Sequence, residues 1–228
     1  ENEMRKLVIK WAMLALGLSV SAGLCAAQAL PTDQPSPQLV VLIAVDQMRG
    51  DLVDRYAELY TGGFRRFLDH GYRFTVASHA HAHTETAAGH ATISTGVFPS
   101  RSGIVSNDWD ERTGDSWTPT YALADSLSPI VGFPAMAGRS PKNMLHTELA
   151  DWVLASDPQA RDAAISGKDR AAITLAGLTK AETYWISPAT ARFITSSYYR
   201  SEYPEWVTRF NETRMPGIVA DSVWAQVV

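Results

Sequence analysis

The segment HAHAHTETAAGH, residues 79–90, concentrates side chains that can do chemistry. It contains four of the six histidines of the chain, together with two threonines and one glutamate. His79, His81 and His83 alternate, so an extended backbone would project all three rings from one face and suit a divalent cation. The same spacing also suits an exposed polar strand edge or loop. Evolved metal sites surround histidine with carboxylate partners that this tract lacks, so the tract by itself is a weak signal.

Thr86 offers a different chemistry because a run of small residues follows it. The sequence TAAGHATISTG predicts a helix from Thr86 to near Gly96, and the N–H groups at the start of a helix favour an anion. A threonine hydroxyl is a poor nucleophile unless a metal ion or a base lowers its pKa. Asp46 follows the apolar run Leu39–Val45 and supplies a carboxylate for such a metal. A structural interpretation is also open, in which Thr86 caps the helix and Asp46 caps the end of a strand.

The overall composition is that of an ordinary globular protein. The 228 residues are 46% hydrophobic and 19% charged, with a formal net charge of −4. This length is enough for one domain with a sizeable core. The mild acidity disfavours nucleic acid as a partner and disfavours an anionic membrane surface, since both would favour a basic face.

The N-terminal segment has the pattern of a secretory signal peptide. A positive start after Met4 is followed by the apolar run Trp11–Leu24 and by an A-x-A motif at residues 27–29. The run is short for a membrane span, so we expect no stable membrane anchor. We expect a periplasmic or secreted protein, cleaved near Ala29. The single cysteine, Cys25, lies in this leader, so the mature chain is expected to contain no disulfide.

The remaining pattern alternates between strands and helices and predicts the α/β class. The continuous apolar run Leu39–Val45 is typical of a buried strand in a parallel sheet, and residues 72–78 are a second strand candidate. Residues 163–173 predict a strand, a loop and a helix, and residues 181–199 predict two strands around a turn. Further helices are predicted within residues 51–68, 86–96, 140–156 and 204–211.

Four segments, taken in order, resemble the alkaline phosphatase superfamily. They are VDQMRGD, GGFRRFLDHGYRF, TETAAGHATISTGVFPSRSGIVSNDW and KDRAAI. The sequence is most similar to the PafA-like branch of periplasmic alkaline phosphatases, which is related to type I phosphodiesterases and nucleotide pyrophosphatases. The resemblance implies an alkaline-phosphatase-like sandwich with a mostly parallel central sheet flanked by helices, incomplete at the C-terminal side. It divides the chain into a signal peptide (1–29), a flexible lead-in (30–38) and the N-terminal part of a catalytic domain (39–228).

The resemblance also implies roles for five residues. Asp46 and Thr86 match metal-binding positions, and Thr86 matches the nucleophile that becomes a phosphothreonine. Asn107, Lys168 and Arg170 match the residues that bind the oxygens of the transferred phosphoryl group. Two Zn2+ ions are the implied cofactors, with the remaining ligands expected beyond residue 228, and phosphate monoesters are the implied substrates. The 228-residue chain alone is therefore expected to bind zinc poorly and to lack phosphatase activity.

Three other functions are compatible with parts of the sequence. One is a phosphodiesterase or nucleotide pyrophosphatase of the same superfamily. Lys168 and Arg170 favour the monoesterase, because a dianionic phosphate needs more positive charge than a diester. A sulfatase is disfavoured because Val97, in VFPSR, stands where that family requires cysteine or serine. The third is a non-catalytic exported metal-binding protein that would use the histidines at positions 79, 81 and 83.

Overall fold

The computed structural model describes residues 37–220. The predicted signal peptide and most of the lead-in lie outside these residues. The chain divides into two units at residue 43, and the described part of the first, residues 37–43, contains no helix or strand. All candidate site residues lie in the second unit, which begins at Ala44. Within residues 37–220, no helix is both long enough and apolar enough to cross a membrane.

Both strands predicted nearest the N-terminus are wrong. Residues 39–45 and residues 72–78 form no regular secondary structure. Leu39 is 79% exposed and Tyr72 is 100% exposed, so neither segment buries its apolar side chains as predicted. A strand requires a neighbour that pairs with its backbone N–H and C=O groups. No strand pairing described between residues 37 and 220 includes either segment.

The helical prediction for residues 51–68 is confirmed as two helices with a short turn between them. Helix α1 spans Leu52–Arg55, a 3-10 turn spans Ala57–Leu59, and helix α2 spans Gly62–His70. Gly62 opens α2 with a φ of 63°, a left-handed conformation that glycine adopts without steric cost. The start of the second helix therefore coincides with a glycine at a position where the backbone has a positive φ.

Helix α3, Thr86–Thr95, has the predicted bounds and ends at Gly96, whose φ is 68°. Ala87, Ala88 and Ala91 are completely buried. Their small side chains allow α3 to pack closely against helix α6, which spans Asp169–Ala176. The hydroxyl of Ser94 donates to the carbonyl of Thr174 at 2.7 Å, which locks the two helices together.

The next elements lead from α3 to the sheet. Helix α4 spans Pro99–Ser102, and strands β1 (Asp108–Thr113) and β2 (Ser116–Tyr121) form an antiparallel hairpin. Helix α5 spans Leu149–Ser156. It is shorter than the helix predicted from residue 140, because the Glu148 side chain accepts a hydrogen bond from the N–H of Ala150 and starts the helix there.

A three-stranded sheet completes the fold. Strand β3 (Ala163–Ser166) is followed by α6 and by strand β4 (Glu182–Ser187), which lies parallel to β3, so the predicted strand–loop–helix segment is confirmed. Strand β5 (Arg192–Ile194) pairs antiparallel with β4. Helices α7 (Glu205–Thr213) and α8 (Met215–Val219) follow, and α7 begins after a proline as predicted. The α/β class is confirmed, with one parallel and one antiparallel strand pair in this sheet.

Asn211, on α7, acts as a strand partner for the sheet edge. Its Oδ1 accepts from the N–H of Phe193 at 2.8 Å, and its Nδ2 donates to the carbonyl of the same residue at 2.8 Å. Asn211 is buried, so its replacement leaves a backbone donor and acceptor of β5 without partners.

We expect N211A to lower the free energy of unfolding by about 1–3 kcal/mol in urea titrations. E212A, at the exposed next position, should change it by less than about 0.5 kcal/mol; equal effects would contradict this role.

Glu148 predicts a pH dependence of stability. It is 1% exposed, and burial raises the pKa of its carboxyl from 4.5 to about 8. The folded protein therefore keeps a proton that the unfolded chain releases near pH 4.5, so the free energy of unfolding falls as the pH rises from 4.5 to 8. The contribution is up to about 1.4 kcal/mol per pH unit.

Urea unfolding at several pH values should show a weaker pH dependence for E148Q, whose amide can still accept from Ala150. The exposed control E202Q should keep the wild-type slope; an unchanged slope in E148Q would contradict the prediction.

Candidate active site

Asp46 lies between two residues from distant parts of the chain. Thr86, the first residue of α3, donates from Oγ1 to Oδ2 of Asp46 at 2.9 Å. The Nζ of Lys168 lies 3.8 Å from the same carboxylate oxygen. The backbone turns sharply after Asp46, where Gln47 has a φ of 61°, a conformation that non-glycine residues rarely adopt. The structure thus brings together three of the five residues singled out in the sequence.

Asn107 is attached to the start of the same helix. Its Oδ1 accepts from the backbone N–H of Ala87 at 2.9 Å. Because the amide oxygen faces this donor, the Nδ2 group points away from it and can donate to another acceptor. Asn107 therefore satisfies one of the free N–H groups of α3 and also presents a donor close to Thr86.

Glu85, immediately before Thr86, holds the Asn107 backbone. Its Oε2 accepts from the N–H of Asn107 at 2.8 Å and from the hydroxyl of Ser106 at 2.7 Å. The Nε2 of His83 lies 2.9 Å from Oε1. The Asn107 N–H, followed by His83 and Ser106, lowers the pKa of Glu85 to about 2. Glu85 was not among the site residues predicted from the sequence, where its position next to Thr86 was the one available signal.

Arg170 occupies a separate set of contacts. Its Nη1 donates to Oη of Tyr121 at 3.0 Å, and its Nε is buried without a hydrogen-bond partner among the described residues. Within residues 37–220, no hydrogen bond or ion pair joins Arg170 directly to Asp46, Thr86 or Asn107. Tyr121 in turn donates to Oδ1 of Asp169 at 2.7 Å. Neither Tyr121 nor Asp169 was predicted from the sequence as a site residue.

The histidine tract forms no metal cluster in the described part of the chain. The rings of His79 and His81 meet edge to face at 5.1 Å, and both ring nitrogens of His81 are buried without a hydrogen-bond partner. His83 is paired with Glu85 instead. No group of three or more histidine, cysteine, aspartate or glutamate residues between positions 37 and 220 is arranged to hold a metal ion. The histidines at positions 79, 81 and 83 are thus not gathered with other such ligands in this part of the chain. His90 is buried, and its Nδ1 lies 2.7 Å from the Thr86 carbonyl.

The donor set around Asp46 fits part of a metal site. A carboxylate oxygen and a hydroxyl oxygen lie 2.9 Å apart, which allows both to face one cation. Zinc usually takes four ligands, including carboxylate oxygens. Asp46 and Thr86 therefore suit two of these positions, and the described residues supply no further ligand cluster.

Comparison with known proteins places this geometry in a family. The family model for type I phosphodiesterase / nucleotide pyrophosphatase matches residues 40–224. The alkaline phosphatase PafA of Elizabethkingia meningoseptica is 37% identical over 220 residues, which cover 94% of this chain and 39% of that protein. The alkaline phosphatase PhoV of Synechococcus elongatus is 35% identical over 198 residues, covering 85% of this chain and 36% of that protein. The chain thus spans less than two fifths of the length of these relatives.

Crystal structures of PafA share the fold. The wild-type structure has a TM-score of 0.73 at 35% identity and covers 80% of this chain and 36% of its own. A variant substituted at one threonine, one asparagine, one lysine and one arginine gives 0.74 at 34% identity, with coverage of 81% and 36%. The threonine and asparagine of that variant are 21 positions apart and its lysine and arginine two apart, the same separations as Thr86–Asn107 and Lys168–Arg170.

These matches confirm the resemblance and the fold class predicted from the motifs. Three of the four segments that carry the motifs, those with Asp46, with Thr86 and Asn107, and with Lys168, contribute the contacts around Asp46. The chain belongs to the type I phosphodiesterase / nucleotide pyrophosphatase family, within the superfamily that contains the PafA-like alkaline phosphatases.

Proposed function

We propose that the protein to which this chain belongs hydrolyses phosphate monoesters, with Thr86 as the nucleophile. The observation that carries this proposal is the hydrogen bond from Thr86 Oγ1 to Asp46 at the start of a buried helix. The N–H groups there and the positive end of the helix dipole favour an anion next to the hydroxyl. Relatives named alkaline phosphatases support the same reaction class.

Thr86 is proposed to attack phosphorus through Oγ1. The hydrogen bond directs the hydroxyl proton toward Oδ2 of Asp46 and leaves the lone pairs of Oγ1 free. A new O–P bond forms while the bond from phosphorus to the leaving oxygen breaks. Oγ1 releases its proton to solvent water, and the leaving alkoxide takes up a proton from solvent water, so the step balances. Water then hydrolyses the phosphothreonine and releases inorganic phosphate. Phosphoryl transfer depends mainly on positioning and on stabilising negative charge, which are what the surrounding residues supply.

Asn107, Lys168 and Arg170 are proposed to bind the phosphoryl oxygens. Asn107 donates from Nδ2, which its contact with Ala87 leaves available. Lys168 contributes a compact charge from the start of α6. Arg170 can donate two parallel hydrogen bonds to one phosphate, because a guanidinium presents its N–H groups in a planar fork.

Two Zn2+ ions are the proposed cofactors, with Asp46 and Thr86 as ligands of one of them. The other ligands are proposed to lie beyond residue 228, since the chain spans 39% of the length of PafA. A bound zinc ion would lower the pKa of the Thr86 hydroxyl and offset developing negative charge. Export through a signal peptide at residues 1–29 is part of the same proposal and rests on sequence alone.

Hydrolysis of phosphodiesters or nucleotide pyrophosphates is the second candidate. The family description favours it, because it names both activities. The cations at positions 168 and 170 favour the monoester, because two positive groups near one phosphate suit a dianion better than a monoanion.

Replacement of Thr86 tests the nucleophile. In the full-length protein with saturating zinc, T86A should lower kcat/KM for p-nitrophenyl phosphate by at least about 1,000-fold, because it removes the attacking oxygen. T86S keeps a hydroxyl and should retain far more activity. Acid quenching during turnover, followed by mass spectrometry, should find phosphate on Thr86 in the wild type. Wild-type rates in T86A would refute the assignment.

Substrate choice separates the two candidates. Full-length protein should prefer p-nitrophenyl phosphate to bis-p-nitrophenyl phosphate. The double variant K168A/R170A should lose more activity, by about 10-fold or more, on the monoester than on the diester, since the diester carries one negative charge fewer. K142A, which removes an exposed lysine elsewhere, should leave the ratio unchanged. A wild-type preference for the diester would favour the phosphodiesterase instead.

A further inference from the structure

Among the described residues, the guanidinium of Arg170 has one side-chain hydrogen-bond partner, Tyr121. Its Nη1 donates to Oη of Tyr121 at 3.0 Å, and its Cζ lies 5.6 Å from the centre of the same ring. The buried Nε has no hydrogen-bond partner among the described residues. The Tyr121 phenol therefore orients the guanidinium of Arg170. The N–H groups on Nη1 and Nη2 that do not bind the phenol can donate to a ligand.

The phenol of Tyr121 has a defined orientation. It donates its proton to Oδ1 of Asp169 at 2.7 Å, so its lone pairs face the Nη1 of Arg170 as acceptors. Burial, followed by the charge of Asp169, raises the pKa of Tyr121, which keeps the phenol protonated at alkaline pH. The hydrogen bonds therefore run in one direction, from Arg170 to Tyr121 to Asp169.

Asp169 is fixed by a second arginine. The Nε of Arg139 lies 2.7 Å from Oδ2 of Asp169, and the two side chains are 22% and 14% exposed. The Arg139 guanidinium also stacks over the Tyr121 ring, with Cζ 4.5 Å from its centre. Arg139 thus contacts both Tyr121 and Asp169, the two residues that follow Arg170 in this series of hydrogen bonds. Limited exposure protects the Arg139–Asp169 ion pair from screening by solvent.

The position of Tyr121 in the hairpin links Arg170 to Asn107. Tyr121 is the last residue of β2 and pairs with Asp108, the first residue of β1. Asn107 directly precedes that pair, and its carbonyl accepts from the N–H of Ala122 at 2.9 Å. At the base of the β1–β2 hairpin, Asn107 therefore precedes one strand, and Tyr121, the hydrogen-bond partner of Arg170, ends the other.

We propose that Tyr121 is a positioning residue for Arg170, held in place by Asp169 and Arg139. This inference rests on the proposed function, in which Arg170 binds the phosphoryl group. Tyr121 contributes by presenting an already oriented guanidinium, so its loss should weaken the interactions of Arg170 with the transition state. It should have no effect once Arg170 is absent.

A double-mutant cycle in the full-length, zinc-loaded enzyme tests the proposal. Y121F removes only the phenol oxygen and should lower kcat/KM for p-nitrophenyl phosphate by about 10-fold, the value of a hydrogen bond to a charged group. In an R170A background, Y121F should have less than about a twofold further effect. R139K should show the same dependence on Arg170 with a smaller loss, and it supplies the cycle if Y121F fails to fold by circular dichroism.

Y203F is the matched control, because Tyr203 donates from Oη to the carbonyl of Val131 at 2.8 Å. None of the hydrogen bonds or ring contacts described for residues 37–220 joins Tyr203 to Arg170. Y203F should change kcat/KM by less than about twofold, and equally in both backgrounds. Equal losses for Y121F with and without Arg170 would mean a general structural role and would overturn the proposal, as would an unchanged rate. If R170A itself had no effect, the phosphate-binding role of Arg170 would also fall, whereas T86A reports on the nucleophile independently.

Discussion

The hydrogen bond between Thr86 and Asp46 is the interaction on which the candidate site depends. It joins residues 40 positions apart and requires the start of α3 to lie against the turn that carries Asp46. The fully buried alanines 87, 88 and 91 make this possible, because small side chains let α3 and α6 approach closely. The packing that fixes Thr86 also positions the start of α6, so Lys168 reaches the same carboxylate.

A second carboxylate beside Thr86, the proposed nucleophile, would oppose an anionic substrate if its charge were unpaired. Glu85 is instead engaged by the N–H of Asn107, the hydroxyl of Ser106 and the ring of His83. These donors favour the ionised form, which is why the pKa of Glu85 falls to about 2. The Glu85 carboxylate holds the Asn107 backbone next to α3. The side-chain amide of Asn107 is oriented separately, by the hydrogen bond that its Oδ1 accepts from the N–H of Ala87. His83, in the segment of alternating histidines, thus supports the site indirectly through its contact with Glu85.

Local sequence signals were enough for the elements that position the site. Small residues and Gly96 set the bounds of α3, and the strand, loop and helix around Lys168 follow directly from residues 163–173. The strand predictions failed at residues 39–45 and 72–78, because strand formation depends on a partner strand and not on the segment alone. Tyr121 was missed for a related reason. Its partners Arg170 and Asp169 lie 49 and 48 positions away, and no local pattern records such contacts.

The two cations at the start of α6 differ in how firmly they are held. Lys168 precedes α6 in an extended conformation and Arg170 lies in its first turn, and the two side chains reach different partners. Lys168 lies 3.8 Å from Asp46 in a pair that is 52% and 40% exposed, and exposed ion pairs of this kind contribute little stability. Arg170 is bound to a phenol that a more buried ion pair supports. In the proposed reaction, Lys168 can therefore leave Asp46 to follow an incoming phosphate at small cost, whereas the guanidinium of Arg170 keeps one orientation. The mobile charge of Lys168 and the oriented guanidinium of Arg170 would together suit a phosphoryl group, whose charge distribution and geometry change during the proposed transfer.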